Sequence, residues 1–313
     1  MKWRSVFVDE LRKSLRKGKD SNSITARVNK YGRKYLGLPT IPTYALFPQQ
    51  RINRLHYKMA IAKWKTLTEA EKEGYKETAD EQGLTPYNVF LRQYLVELKE
   101  ALVLYIPMDR VTDSTVKDYS IYGNDGTIYG ATWTKEGYIR GCLDFDGVDD
   151  YLNCGGDHSL DCTNAITISE WLYARSFTHE GGGDFPTSIC KGNDYYRVFF
   201  NQYGTITFRL NNGSYVTATG EEIDTNKWYH IVTTWDGNLM KIYANGIDVT
   251  DDIYTISPPL QKGLNLIIGD VDITYNRKWN GLIDEVKIYA KALTESEVRA
   301  MYEMEKRWHD LNE

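Results

Sequence analysis

Trp228-Tyr229-His230-Ile231-Val232-Thr233-Thr234-Trp235 runs into Asp236-Gly237-Asn238 and continues as Leu239-Met240-Lys241-Ile242-Tyr243-Ala244-Asn245-Gly246. The first run alternates: Trp228, His230, Val232 and Thr234 fall on one face, Tyr229, Ile231, Thr233 and Trp235 on the other. A period of two in aromatic and β-branched residues is the pattern of a strand. Asp236-Gly237-Asn238 supplies turn residues that tolerate positive φ, and Asn245-Gly246 marks a second tight turn. Two long strands in one hairpin, aromatic on both faces, belong in the middle of a β-sandwich.

Outward from this hairpin the chain reads as α+β. Strands are expected from Leu102 onward, near 142–153, 165–174, 187–191, 195–201, 205–210, 214–219, 264–269 and 280–289, with turn signals between them. Thr294-Glu295-Ser296-Glu297 is a capping box that opens a last helix, whose Val298, Met301, Tyr302 and Trp308 would pack back on the sandwich or on a partner. Upstream, residues 48–100 predict helices over roughly 48–65, 69–82 and 86–100. Thr68-Glu69-Ala70-Glu71 is another capping box, Gly83 a C-terminal stop, and Thr85-Pro86 an N-cap with proline in the first turn. Trp64, Leu67, Tyr75, Tyr87 and Phe90 are read as a mini-core. Residues 1–19 predict a basic amphipathic helix, and the glycines and prolines of 18–47 an extended arm. The parts are therefore 1–47, 48–100, 101–293 and 294–313.

Four ordered segments resemble the laminin-G-like, concanavalin A-like jelly rolls over about residues 101–303. They are the central hairpin, Asp118-Tyr119-Ser120-Ile121-Tyr122-Gly123-Asn124-Asp125-Gly126-Thr127, Phe145-Asp146-Gly147-Val148-Asp149-Asp150-Tyr151, and Gly281-Leu282-Ile283-Asp284-Glu285-Val286. The resemblance implies a structural Ca2+ held where the opening turn meets the closing strand, which falls on Asp118, Asn124, Asp125 and Asp284. Asp118 and Asn124 also read simply as caps of a turn. The run from Trp64 to Phe90 is similar to the later half of an HMG box and to short helical modules of phage and archaeal-virus structural proteins. It lacks the basic, wedge-bearing first helix of the former.

Charge divides along the chain. Residues 1–100 hold 20 Lys+Arg against 11 Asp+Glu, and the remainder 18 against 32. A basic half beside an acidic one suggests two jobs, one of them meeting a partner or an anion. No stretch reaches the roughly 20 apolar residues of a membrane span. Met1 to Glu10 lacks the apolar core and cleavage site of a secretory signal. Cys142, Cys154, Cys162 and Cys190 form no CxxC pair, so zinc is not expected. Cys142 and Cys190 sit in strand patterns, and a disulfide between Cys154 and Cys162 is open.

Catalysis finds little footing. A retaining glycosidase needs two carboxylates on one face, and alternation puts Asp284 and Glu285 on opposite faces. The five histidines lack metal or triad spacing, and His230 reads as a structural strand residue. Sugar recognition by aromatic stacking with polar contacts points to Tyr195, Tyr196, Arg197, Asn212 and Tyr215. The expectation is a non-enzymatic virion capsid or surface protein. It would display a lectin-like jelly roll for glycan or host-surface binding, with residues 1–100 anchoring it to other subunits or to itself. A cellular carbohydrate-binding or adhesion protein, reaching the cell surface by another route, is the alternative, and nucleic-acid binding through residues 1–100 a third.

Overall fold

The structure, a computed structural model, describes residues 25–28, 34–37, 47–178, 185–192, 195–211, 215–251, 264–271 and 277–311, with the backbone alone at 25–28, 34–37, 211 and 215–218. The chain falls into two compact units, 1–46 and 47–313. In the first, β1 (Thr25–Val28) and β2 (Lys34–Gly37) pair antiparallel, so the arm contains a short hairpin. The helix expected over 1–19 lies outside the described residues.

The second unit opens with α1 (Pro48–Thr66), α2 (Glu69–Glu73), α3 (Lys76–Gln82) and α4 (Pro86–Ala101). Thr68 and Glu71 cap α2 reciprocally, and the Thr85 hydroxyl accepts from the Asn88 amide to start α4. Gly74 and Tyr75 interrupt the single helix expected over 69–82. Gly83 then stops α3 at φ +64°, a conformation open to glycine without a Cβ clash. Trp64 packs on Tyr75, Tyr87 and Phe90 with ring centroids 5.1–6.2 Å apart, so the expected aromatic mini-core forms.

Strands follow in chain order: β3 (Leu102–Ile106), β4 (Thr115–Val116), β5 (Gly126–Tyr129), β6 (Thr132–Gly137), β7 (Arg140–Asp146), β8 (Tyr151–Asn153), β9 (Ile166–Ser176), β10 (Thr187–Lys191), β11 (Tyr196–Phe200), β12 (Thr205–Asn211), β13 (Tyr215–Glu222), β14 (Trp228–Trp235), β15 (Met240–Ala244), β16 (Ile247–Asp248), β17 (Leu266–Ile268) and β18 (Asn280–Tyr289). One sheet runs β13-β12-β11-β10-β17-β8-β5-β4. The other runs β16-β15-β14-β9-β18-β7-β6, with β3 also on β18. The quoted hairpin is β14–β15, turned by Asp236, whose carboxylate accepts from the amides of Asn238 and Leu239. It sits inside its sheet beside β9, as its two-faced aromatic pattern predicts.

That pattern has two faces because β14, β9 and β18 have two covers. Ile231, Ile168, Leu172, Ile283 and Ile288 meet Ile189, Val198, Phe208 and Ile268 of the other sheet. On the opposite face Trp171, Val232, Tyr243 and Tyr289 meet Leu55 and Met59 of α1 and Leu98 of α4. The last helix, α5 (Glu295–Asp310), closes this layer with Val298, Met301 and Trp308, starting from the Thr294–Glu297 capping box. Helices and sandwich therefore share a core across the 100/101 and 293/294 boundaries. Each large side chain buried there contributes roughly 1.5–3 kcal/mol.

All four cysteines are buried free thiols, so Cys154 and Cys162 are not bridged. Burial in apolar surroundings raises the Cys162 thiol to about 12.

Candidate functional site

The opening turn is built around one carboxylate. Asp118 Oδ1 accepts from the amides of Tyr105 and Ser120, each at 2.8 Å. Its Oδ2 accepts from the Ser120 hydroxyl at 2.6 Å and the Asn124 amide at 2.7 Å. Asp125 accepts in turn from the Asp118 amide, and Asn124 donates to the Val103 carbonyl and to Ser159. Asp118, Asn124 and Asp125 thus come together as the resemblance implies, but as a capped turn. Four donors already occupy the Asp118 oxygens, which leaves a cation to compete for them.

Asp284 is elsewhere. Glu285 has φ +53° and forms a bulge, so Ile283 and Val286 both enter the sandwich core with two residues between them. Asp284 and Glu285 therefore leave the sandwich interior on the same side, where alternation puts them on opposite faces. Asp284 accepts from the amides of Ile139 and Glu285, and burial together with the Glu285 charge pushes it well above the usual carboxylate range. It shares no hydrogen-bond partner with Asp118 among the described residues, which corrects the expectation that it completes a site with the opening turn.

The expected sugar-binding set is also dispersed. Tyr195 and Tyr196 are 1 % and 0 % exposed and belong to the sandwich core, so neither ring offers a face to a ligand. The sequence placed them on a rim because two tyrosines follow a polar turn. Arg197 is buried too, with Nε on the Thr187 hydroxyl at 2.9 Å and the guanidinium over the Phe199 ring. Asn212 and the Tyr215 side chain lie outside the described residues.

Perturbed titrating groups gather beneath the helices. Arg51 of α1 meets Asp109 at 3.0 Å and Glu285 at 2.6 Å. Lys287 lies 2.8 Å from Glu285 and 2.8 Å from Glu305 of α5, and Glu305 accepts from the Trp171 indole at 2.6 Å. Burial drives Glu285 up, but Arg51 and Lys287 outweigh it and hold the carboxyl below its ordinary value. His230 stands next to Ser169 at 3.0 Å, and burial with the Lys287 charge pushes it down to about 3, a neutral structural imidazole. These are signatures that often mark active sites. Here Arg51, Glu285, Lys287 and Glu305 are at most 1 % exposed, so the chain of charges ties helices to sheet instead of meeting a substrate.

The opposite sheet carries an open groove of about 570 Å³ at its β4–β5–β8 end. Ile128 and Leu152 point inward, which turns the pairs Thr127–Asn153 and Tyr129–Tyr151 outward. Tyr129 stacks on Tyr151 with ring centroids 4.5 Å apart and planes 9° from parallel. It also lines the groove and stays 45 % exposed. The turn residues Tyr122 to Asp125 line it as well, as does the segment Asn153 to Asp157. Gly123 and Gly155, at φ +74° and +72°, have no atom within 4 Å of a would-be Cβ, so both contribute bare backbone to the lining. Asp157 accepts from the Ser159 amide, which holds its carboxyl below the usual range. An exposed aromatic ring among paired polar groups can stack on and hydrogen-bond an amphipathic ligand. Of this set the sequence singled out Asn124 and Asp125, for another purpose. Thr127 closed that same turn motif, and Tyr129, Asn153 and Asp157 carried no local motif.

A second acidic group, Asp146, Asp149 and Asp150, converges in the loop before β8. There Asp150 accepts from the Asp146 amide and Asp146 from the Val148 amide, so the loop caps itself.

The model of the laminin-G-like family described as "Concanavalin A-like lectin/glucanases superfamily" matches residues 146–299. Among solved structures, the binding domain of Paraclostridial Mosquitocidal Protein 1 is similar at TM-score 0.53 and 18 % identity, over 66 % of this chain and 52 % of that one. The receptor binding domain of the botulinum neurotoxin C/D mosaic serotype is similar at TM-score 0.52 and 15 % identity, over 66 % and 51 %. Domain 4 of AbnA, an extracellular GH43 arabinanase of Geobacillus stearothermophilus solved with arabinotriose, matches at TM-score 0.50 and 19 % identity, over 64 % and 97 %. The chain spans about half the length of the two toxin domains. Comparison with curated proteins finds no match. The two-sheet sandwich is thus consistent with the jelly-roll fold of these proteins and resembles the concanavalin A-like family over residues 146–299, and at these identities the structural likeness is one of fold.

Proposed function

We propose that this chain is a non-enzymatic carbohydrate-binding protein, displayed on a virus particle and held there through its N-terminal region. The groove beside Tyr129 carries the binding half of this reading: it is an open, polar, aromatic-lined surface of the jelly roll, whereas the titrating groups with enzyme-like perturbation are sealed under helices. A lectin and glucanase family model over residues 146–299 and a structural neighbour solved with arabinotriose support it. The virion half rests on the Trp64–Phe90 pattern and the basic N-terminal hundred residues. No helix of the described residues is long and apolar enough to cross a membrane.

Light scattering after size exclusion tests the anchoring half. The full chain and residues 47–313 are to be compared, because a cut at 101 would expose the core that α1 and α4 share with the sheet. Assembly of the full chain alone supports an anchor in residues 1–46. If both species are monomers, the cellular adhesion reading takes its place, which the toxin binding domains favour. Salt-sensitive DNA binding by the full chain would instead point to nucleic acid.

A further inference from the structure

The geometry points to a groove that selects uncharged saccharides and rejects anionic ones, with Tyr129 as the stacking platform and Asp125 and Asp157 as the selecting groups; this rests on the carbohydrate-binding reading above.

Two carboxylates line the groove, and among the described residues no lysine, arginine or histidine does. Asp125 spends one oxygen on the Asp118 amide and keeps the other, while Asp157 is held by both the amide and the hydroxyl of Ser159 and carries its charge into the groove lining. Asn153 likewise spends its Oδ1 on the Gly155 amide and keeps its Nδ2. The nearby Lys191 and His158 lie 3.2 Å and 3.1 Å from Asp161, whose carboxylate they face more closely than the groove.

A carboxylate oxygen is an acceptor only, and the hydroxyls of a neutral sugar are donors that suit it. The apolar C–H face of a sugar ring can lie on Tyr129, whose other face is taken by Tyr151. A sialic acid, uronate or sulfate would bring a like charge beside two carboxylates, with no cation in the groove lining among the described residues. At the separations a groove allows, this repulsion weakens binding by roughly tenfold or more at low ionic strength.

Calorimetric titration of the full chain with lactose, cellotriose and arabinotriose, against sialyllactose and a glucuronate-containing trisaccharide, tests this. At least one neutral sugar is expected to bind, and the anionic ones roughly tenfold more weakly or worse, with the gap narrowing as salt screens the charges. Asp125→Asn combined with Asp157→Asn should close most of that gap. Tyr129→Ala should weaken the neutral sugar by about tenfold while the melting curve stays close to wild type. Equal or preferred binding of anionic sugars, lost with Tyr129→Ala, overturns the selectivity and leaves the groove as a glycan site. Neutral binding indifferent to Tyr129 and to both aspartates overturns the site but keeps carbohydrate binding. No binding by any sugar removes both.

Discussion

On the helix-covered side of the sandwich, Trp171, His230 and Lys287 are buried against α1 and α5, whereas on the far side Tyr129 keeps 45 % of its surface exposed above Thr127 and Asn153. Both surfaces combine aromatic rings with carboxylates. They differ in what the carboxylates are given. Under the helices Glu285 has Arg51 and Lys287, and the cluster is closed. In the groove Asp125 has one backbone amide and Asp157 the amide and hydroxyl of Ser159, with open space beyond. Perturbed titration therefore marks the joint between helices and sheet, while open carboxylates near an exposed ring mark the surface proposed to bind.

Arg51→Ala should break this contrast most severely. It leaves buried Glu285 with Lys287 alone and takes the close cation from Asp109, and urea unfolding is expected to show a loss of about 3–5 kcal/mol. Tyr129→Ala should cost under about 1 kcal/mol in the same measurement, because its ring is on the surface. Equal losses would mean that the groove is as structural as the joint.

Glu170 sharpens the comparison from inside the sandwich. It has no ion-pair partner among the described residues: one oxygen accepts from the Ser188 hydroxyl at 2.6 Å, and burial pushes the carboxyl up to about 8. The folded state thus holds a proton that the unfolded state gives up near its ordinary value. Stability should fall as pH rises from about 5 to 8, by a few kcal/mol, and level off above. Thermal melts across that range should be flatter for Glu170→Gln; parallel curves for the two proteins would place the slope elsewhere.

Smaller effects than at Arg51 and Glu170 concern the opening turn. Asp118→Ala removes an acceptor with four donors and should cost about 1–3 kcal/mol. Since those donors already fill the Asp118 oxygens, a chelator is expected to move the melting temperature by no more than about 1 °C. A fall of several degrees with chelator would return calcium to this protein and send the search to other oxygens.

What could be read in advance was local. The Trp228–Gly246 hairpin, the Thr68 and Thr294 capping boxes and the Gly83 stop each depend on a few neighbouring residues, and each is present. The bulge at Glu285 was hidden because alternation is only the default of a strand, and a positive φ at one residue resets the phase. Tyr195 and Tyr196 looked like a rim because composition does not say which side of a turn is covered. The groove was invisible for a third reason: β5 and β8 are short strands distant in sequence, and only their register sets Tyr129 on Tyr151. Non-local pairing of this kind has no signature in a window of sequence.

The four buried, unbridged thiols have a consequence for where the protein can work. Its core asks nothing of the redox state around it: no bond must be made by an oxidant, none can be lost to a reductant, and the sulfurs sit out of reach of either. A fold made in a reducing compartment can then be carried into an oxidising one unchanged.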